Sequence, residues 1–160
     1  RIGIGEDTHR LAAGRKLILG GVEIPFELGL LGHSDADALT HAVIDALLGA
    51  CALGDIGQHF PDSDEAFRGI SSLLLAKEAA ARIRAAGFET VNIDSVITAQ
   101  KPKLAPFREA MRANLAEALG VPPENIGVKF TTPEGTGPEG NLECITVRAV
   151  AAVRKVRIQC

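Results

Sequence analysis

Two hydrophobic periods alternate along this chain, and a glycine or proline stands at nearly every change between them. Apolar residues two apart mark strands; apolar residues three or four apart mark helices. Ile2 and Ile4 alternate with glycines toward Asp7 and predict a short first strand. Leu17–Leu19 and Val22–Ile24 flank Gly20-Gly21 and predict a hairpin closed by a Gly-Gly turn and ended by Pro25. Ser34 or Asp35 is suited to cap a helix running to about Leu53, with Gly54 as its stop; Leu39, Val43, Ala46, Leu47 and Ala50 keep its period. A second helix is expected from Ser71 or Ser72 to Gly87, and a third from Pro106 to Leu119 before Gly120. Further strands are expected at Val91–Thr98, at Ile126–Thr131 and from Ile145 to Arg154. There is no strict strand–helix–strand repetition, so the expected class is α+β, a mixed sheet with helices packed on one face. A length of 160 residues suits a single domain, 1–160.

Composition narrows the function. The chain is 46% hydrophobic, ample for a packed core, and its net charge of −3 comes without any basic run. Nucleic-acid binding, which needs clustered Lys and Arg, is not expected. No apolar stretch reaches the roughly 20 residues that span a bilayer, so no membrane association is expected. No signal peptide is read at the start, and Cys51, Cys144 and Cys160 form no Cys-x-x-Cys pair. Cys51 and Cys144 lie in apolar runs and read as small core residues, which fits a reducing, cytoplasmic setting.

Three of the four histidines fall in two short segments crowded with carboxylates, Glu6-Asp7-Thr8-His9 and His33-Ser34-Asp35-Ala36-Asp37-Ala38-Leu39-Thr40-His41. Asp7 and His9 are two apart, so extended chain projects them from one face. With His41 they make a plausible three-ligand zinc set that leaves a position for water or substrate. Asp37 lies one helical turn before His41 and is expected to orient its imidazole. A lone histidine is more often structural, and the two segments are far apart in sequence, so on spacing alone both readings stay open. His33 precedes the expected helix start, where backbone N–H groups attract phosphate. His59, in the Gly/Pro/Asp-rich stretch between Gly54 and Gly69, reads as a loop histidine without a catalytic role.

These segments, together with Ile18-Leu19-Gly20-Gly21-Val22, Gly54-Asp55-Ile56-Gly57, Phe60-Pro61-Asp62-Ser63-Asp64, Ala99-Gln100-Lys101-Pro102-Lys103 and Val128-Lys129-Phe130-Thr131-Thr132-Pro133-Glu134, resemble the 2-C-methyl-D-erythritol 2,4-cyclodiphosphate synthase family. The motifs come in family order over nearly the whole chain. The resemblance implies a homotrimer with active sites between neighbouring subunits. It implies a phosphorus–oxygen lyase of the methylerythritol phosphate route to isoprenoids, cyclising 4-diphosphocytidyl-2-C-methyl-D-erythritol 2-phosphate with loss of CMP. By family pattern Asp7, His9 and His41 would hold Zn²⁺, and Glu134 a second divalent ion, Mg²⁺ or Mn²⁺. His33 and Thr132 would act on the reacting phosphates, with Thr8 and Ser34 beside them. Asp55, Ile56, Gly57, Phe60, Pro61, Asp62, Ser63 and Asp64 would line the methylerythritol end. Ala99, Gln100, Lys101, Pro102, Lys103, Leu104 and Ala105, with Thr131, Thr132, Pro133 and Glu134, would hold the cytidine diphosphate.

The residue types suit that chemistry. The nucleophile is a phosphate already ionised at neutral pH, so positioning and charge neutralisation matter more than a strong base. A zinc-dependent phosphohydrolase using the same ligands to activate water, and a trimeric ligand-binding protein with a structural metal, are the competing readings. Two departures from the family pattern stand out. Glu6 replaces a residue that is commonly apolar or aromatic, adding a charge beside the metal segment. Pro138 and Asn141 replace a common aromatic and arginine, which leaves Lys103 to carry more of the phosphate binding. Lys103→Ala should therefore weaken cytidine diphosphate binding by about tenfold, the scale of one charge-assisted contact; calorimetric titration with the nucleotide measures it.

Overall fold

The computed structural model describes residues 1–156; Cys160 lies outside the described residues. In chain order the elements are β1 (Ile2–Ala13), β2 (Leu17–Leu19), β3 (Val22–Ile24), β4 (Leu28–Leu30), α1 (Ala38–Cys51), α2 (Ile56–His59), α3 (Ser72–Ala85), β5 (Phe88–Thr98), α4 (Arg108–Leu119), β6 (Ile126–Thr131), α5 (Gly137–Gly140) and β7 (Cys144–Lys155). Five strands form a sheet in the order β4-β1-β7-β5-β6, antiparallel except for the parallel pair β5–β6. This is the mixed α+β sheet expected from the sequence. β2 and β3 form a separate hairpin, and Gly20 and Gly21 take φ of 57° and 67° at its turn.

Alternation along the strands divides the sheet into two unlike faces. Ile93, Ile97, Ile126, Val128, Ile145, Val147, Ala149, Ala151 and Val153 point inward to the core. The three long helices pack on that side. α1 lies across β1 and β7 with eleven of its fourteen residues buried, and α3 packs on α1 and α4. Fully buried Leu39, Ile44, Leu47 and Leu48 each contribute about 1.5–3 kcal/mol by leaving water. The opposite face stays uncovered over Ile2, Ile4 and Val150, which are 76%, 71% and 45% exposed. Glu6 lies on this open face and pairs with Arg148 across the β1–β7 ladder. Its charge is therefore directed away from the metal segment, contrary to the sequence expectation, because strand alternation turns Glu6 and Asp7 to opposite sides.

Several boundaries differ from the sequence reading, β5 for instance beginning at Phe88 and not Val91. The first strand does not end at the ligand segment but runs on to Ala13, because β7 and then β4 continue to pair with it. Helix α1 begins at Ala38, not after Ser34 or Asp35: Ala36 takes φ 58°, which interrupts a helical path, and Asp37 is the cap. α1 ends at Cys51 with Ala52 in the left-handed conformation, short of Gly54. The stretch between Gly54 and Gly69 contains α2 and a 3₁₀ turn at Glu65–Phe67.

β1 can lie close to α1 only because its inward positions 3 and 5 lack side chains. A Cβ on Gly3 would stand 2.1 Å from the carbonyl oxygen of Ala46, and one on Gly5 would stand 2.1 Å from that of Ala42. Those neighbours are backbone and cannot rotate away. Gly5→Ala should destabilise the fold by about 3 kcal/mol, at the upper end of overpacking costs. Chemical denaturation measures it, and the divalent-metal affinity should fall with it.

Candidate active site

α1 carries His41 on its inward-facing first turn, and β1 carries Asp7 and His9 on the face that meets it. One donor atom from each of the three lies within 4.8 Å of the other two. Asp7 Oδ2 is 2.8 Å from His9 Nδ1 and 3.3 Å from His41 Nδ1. The imidazole centroids are 5.2 Å apart. Asp7 Oδ2 and His9 Nδ1 are buried polar atoms without a hydrogen-bond partner, since their close approach is not aligned for one. Buried polar atoms are ordinarily satisfied. Lone pairs that converge without bonding one another are what a shared cation requires. The donor set, two imidazoles and a carboxylate, fits a divalent metal. Gly32 leaves the space for His9: a Cβ there would lie 2.9 Å from Nε2.

Burial alone would raise the Asp7 carboxyl, but the close approach of the His41 and His9 imidazoles overcomes it and holds its pKa down at about 2. Burial alone would lower the His41 pKa, but Asp7 outweighs it and the net shift is upward. Burial likewise pushes the Asp45 carboxyl up, against the N–H of Ile56, which donates to it at 2.7 Å and ties the start of α2 to α1.

Asp37 does not orient His41. Its carboxylate accepts from the N–H of Gly20 (2.9 Å), Gly21 (2.7 Å) and Thr40 (3.0 Å) and from the Thr40 hydroxyl (2.7 Å), fastening the hairpin turn to the start of α1. The outer nitrogen of His41, Nε2, instead meets Ser72 Oγ at 2.8 Å and Ser34 Oγ at 3.2 Å. Ser72 in turn bonds the Asp35 carboxylate through its hydroxyl and through its N–H at 2.9 Å. Sequence reasoning took Ser72 and Asp35 only as candidate helix caps. Nothing in their spacing links residues 37 positions apart.

A cavity of about 300 Å³ opens on the triad, lined by Asp7, His9, Gly32, His33, Ser34, His41, Ile56, Gly57, Phe60, Pro61, Asp62, Phe67 and Leu75. Most of the residues expected at the methylerythritol end meet here. Asp55 instead caps α2, and Asp64 caps the following 3₁₀ turn. Ser63 does not line the cavity. Thr8 projects from the other face of β1 and bonds Thr146 at 2.9 Å. His33 Nε2 lies 3.0 Å from the carbonyl oxygen of Asp64, joining the segment before α1 to the stretch after α2. His59 is not a free loop histidine: Nε2 meets the Leu53 carbonyl oxygen and Nδ1 meets Arg82, whose guanidinium also covers the Phe60 ring.

A second cavity, of about 380 Å³, is lined by Ile97, Ala99, Gln100, Pro102, Lys103, Leu104, Ala105, Pro106, Phe130, Thr131 and Thr132. Lys101, Pro133 and Glu134 lie outside its lining, although Thr132 Oγ1 donates to Glu134 at 2.9 Å and Gln100 accepts from the Gly135 N–H at 3.0 Å. The two cavities have no residue in common. Thr8, Thr146, Thr98 and Thr131 stand in register across four adjacent strands. Three strand spacings separate the ends of that row by about 14 Å. A broader groove of about 620 Å³ beside His33 and Ser34 carries Arg15, Lys16 and Arg68. Each is engaged already, Arg15 with the carbonyls of Leu30 and Gly32, Lys16 with Glu23 and Arg68 with Glu65.

A mixed α+β sheet that sets a carboxylate–bis-imidazole cluster beneath a cavity of mixed polarity defines the class: an α+β fold with a candidate metal site open to a ligand. The family model of the YgbB family matches residues 1–154, and the chain belongs to that family. The 2-C-methyl-D-erythritol 2,4-cyclodiphosphate synthase of Carboxydothermus hydrogenoformans is 59% identical over 156 residues, covering 98% of this chain and 96% of that protein. The bifunctional enzyme IspD/IspF of Albidiferax ferrireducens is 58% identical over 155 residues; this chain spans 97% of its own length but only 37% of that longer protein. Among solved structures, a 2C-methyl-D-erythritol-2,4-cyclodiphosphate synthase in its CDP-bound form superposes with a TM-score of 0.88 at 43% identity, covering 96% of this chain and all of that one. Among the described residues, no helix is long and apolar enough to cross a membrane.

The two shifted groups give the metal-free protein a defined pH response. Asp7 has a lowered pKa, so its stabilisation is present above its ordinary 3.8 and is lost as pH falls toward about 2. His41 has a raised pKa, so its stabilisation is complete below its ordinary 6.5 and is lost as pH rises through the folded value. Metal-free protein should therefore lose stability as pH is raised above 6.5. Divalent-metal affinity should rise over the same range, because the metal displaces the His41 proton. Thermal unfolding with chelator and with added Zn²⁺, across pH, measures both.

Proposed function

We propose that this chain converts 4-diphosphocytidyl-2-C-methyl-D-erythritol 2-phosphate to 2-C-methyl-D-erythritol 2,4-cyclodiphosphate and CMP, as a phosphorus–oxygen lyase of the methylerythritol phosphate route. The observation that carries the reading is the convergence of Asp7, His9 and His41 beside a cavity lined by His33, Ser34 and the 56–62 segment, in a chain nearly 60% identical to a synthase of that name. An oxygen of the 2-phosphate attacks the β-phosphorus, and the bond to the bridging oxygen breaks, releasing CMP. Asp7, His9 and His41 would hold Zn²⁺, and Glu134 would help hold Mg²⁺ or Mn²⁺. Such ions neutralise phosphate charge and polarise phosphoryl oxygens when bound.

The chain's own residues supply position and donors. His33 and Ser34, which line the cavity, would hydrogen-bond phosphate oxygens, while Phe60, Pro61 and Leu75 would exclude water around the methylerythritol. Ala99, Gln100, Lys103, Leu104, Ala105, Thr131 and Thr132 form a second surface suited to a cytidine diphosphate. Thr132 contributes a hydroxyl donor to the phosphates.

His33 and Thr132 line different cavities of one chain, and β7 and β5 lie between the strand that carries Asp7 and His9 and the strand that leads to Thr132. Both act on one substrate only if the nucleotide surface of one subunit faces the metal cavity of the next, as in a closed homotrimer. The uncovered apolar positions Ile2, Ile4 and Val150 supply a surface for that association.

The test is intersubunit complementation. His33→Ala and Thr132→Ala should each be nearly inactive alone. Subunits of the two variants, mixed equally and reassembled, should regain about one quarter of native activity, since a quarter of randomly paired interfaces carry both intact halves. No recovery would overturn the shared site. Ring-opened phosphates in place of the cyclic diphosphate and CMP would overturn the reaction.

A further inference from the structure

Three groups behind the metal triad form a chain whose hydrogen-bond directions are fixed by chemistry. Asp35 is a carboxylate and can only accept; its second oxygen is already held by the Ser72 N–H at 2.9 Å. The Ser72 hydroxyl has one proton, and its close bond to Asp35 uses it. At 2.8 Å from His41 Nε2, Ser72 Oγ can then only accept, so Nε2 must carry the hydrogen. Ser34 Oγ, 3.2 Å from the same nitrogen and accepting from the Ala36 N–H, is the weaker second partner. In the neutral imidazole the remaining nitrogen, Nδ1, then keeps its lone pair, on the side that faces Asp7.

We propose that Asp35 and Ser72 are positioning residues for the metal centre: acting through His41 Nε2, they fix the tautomer and ring orientation that present Nδ1 to a divalent cation. The assignment rests on the metal-site reading of Asp7, His9 and His41 and extends it to two residues outside the triad. Ser72 is fully buried at the first position of α3. Ser71, the formal cap of that helix, makes no side-chain capping bond. Asp35 thus caps α3 from the far side of the site, and one carboxylate docks a helix and orders a metal ligand.

Asp35→Asn separates these two roles. The Ser72 N–H at 2.9 Å retains the amide oxygen more strongly than the Asp37 N–H, at 3.3 Å from the other oxygen, can compete for it. The helix cap is kept, and the NH₂ faces Ser72 Oγ. The serine proton is then free to donate to His41 Nε2, favouring the tautomer with hydrogen on Nδ1, where the cation must bind. Ser72→Ala removes the closer acceptor and leaves only Ser34 Oγ at 3.2 Å.

The experiment is calorimetric titration of metal-free native protein and both variants with Zn²⁺ alone, with circular dichroism to score folding and ¹⁵N histidine spectra of the zinc-loaded native protein to assign the His41 tautomer. The expected result is Nε2–H in native protein and a zinc affinity lowered about 10–100-fold in each folded variant, the range for loss of an outer partner of a metal ligand. Native-like zinc affinity in folded Asp35→Asn, or in Ser72→Ala should Asp35→Asn fail to fold, would overturn the proposal. So would hydrogen on Nδ1 in the zinc-loaded native protein. Absence of zinc binding by the native protein would instead overturn the metal-site reading, and this assignment with it.

Discussion

The close seating of helix α1 on strand β1 is the constraint on which the rest depends. It needs Gly3 and Gly5 on the inward face of the strand, because the helix backbone occupies the space their Cβ atoms would take. Two residues further along the same face stand Asp7 and His9, and the same helix delivers His41. A helix–strand distance set by glycine therefore also sets the distance between metal ligands. Asp37 secures the arrangement from the other end, where its four hydrogen bonds join the first turn of α1 to the β2–β3 hairpin.

The electrostatics follow from the same packing. Asp7 and His41 share a largely buried space, and in the metal-free protein each favours the other's charge, so the Asp7 pKa is lowered and the His41 pKa raised. The arrangement leaves Asp7 Oδ2 and His9 Nδ1 without aligned partners. A cation would satisfy all three donors at once, so stability and metal binding are coupled through one set of atoms.

Much of this was legible in the sequence because it is periodic. The alternation of β7, the spacing within α1 and the Gly20-Gly21 turn each carry their own signal, and Asp7 and His9 declare a shared face by lying two apart. What was not legible depended on choices made by tertiary contact. Ser34, Asp35 and Asp37 are all competent helix caps within four residues. Asp37 caps α1 because only its carboxylate also meets the hairpin turn, and Asp35 is thereby free to cap α3. Strand β4 has three residues with a glycine in the middle, too short for a period. The family motifs singled out the 99–105 and 131–134 segments, but no motif states that Thr132 and His33 fall in separate cavities of one chain. That is a property of strand order.

The hydrogen bond between His33 Nε2 and the carbonyl oxygen of Asp64 reaches beyond the geometry of one side chain. In this structure the imidazole is occupied by the chain itself, at a nitrogen that lies beside the cavity. Under the proposed function, a ligand that took His33 Nε2 would compete with this internal acceptor and release one tie between His33 and the 61–69 segment. Occupancy of the cavity and looseness of its rim are in that sense one equilibrium, and backbone amide exchange in that segment is its reporter.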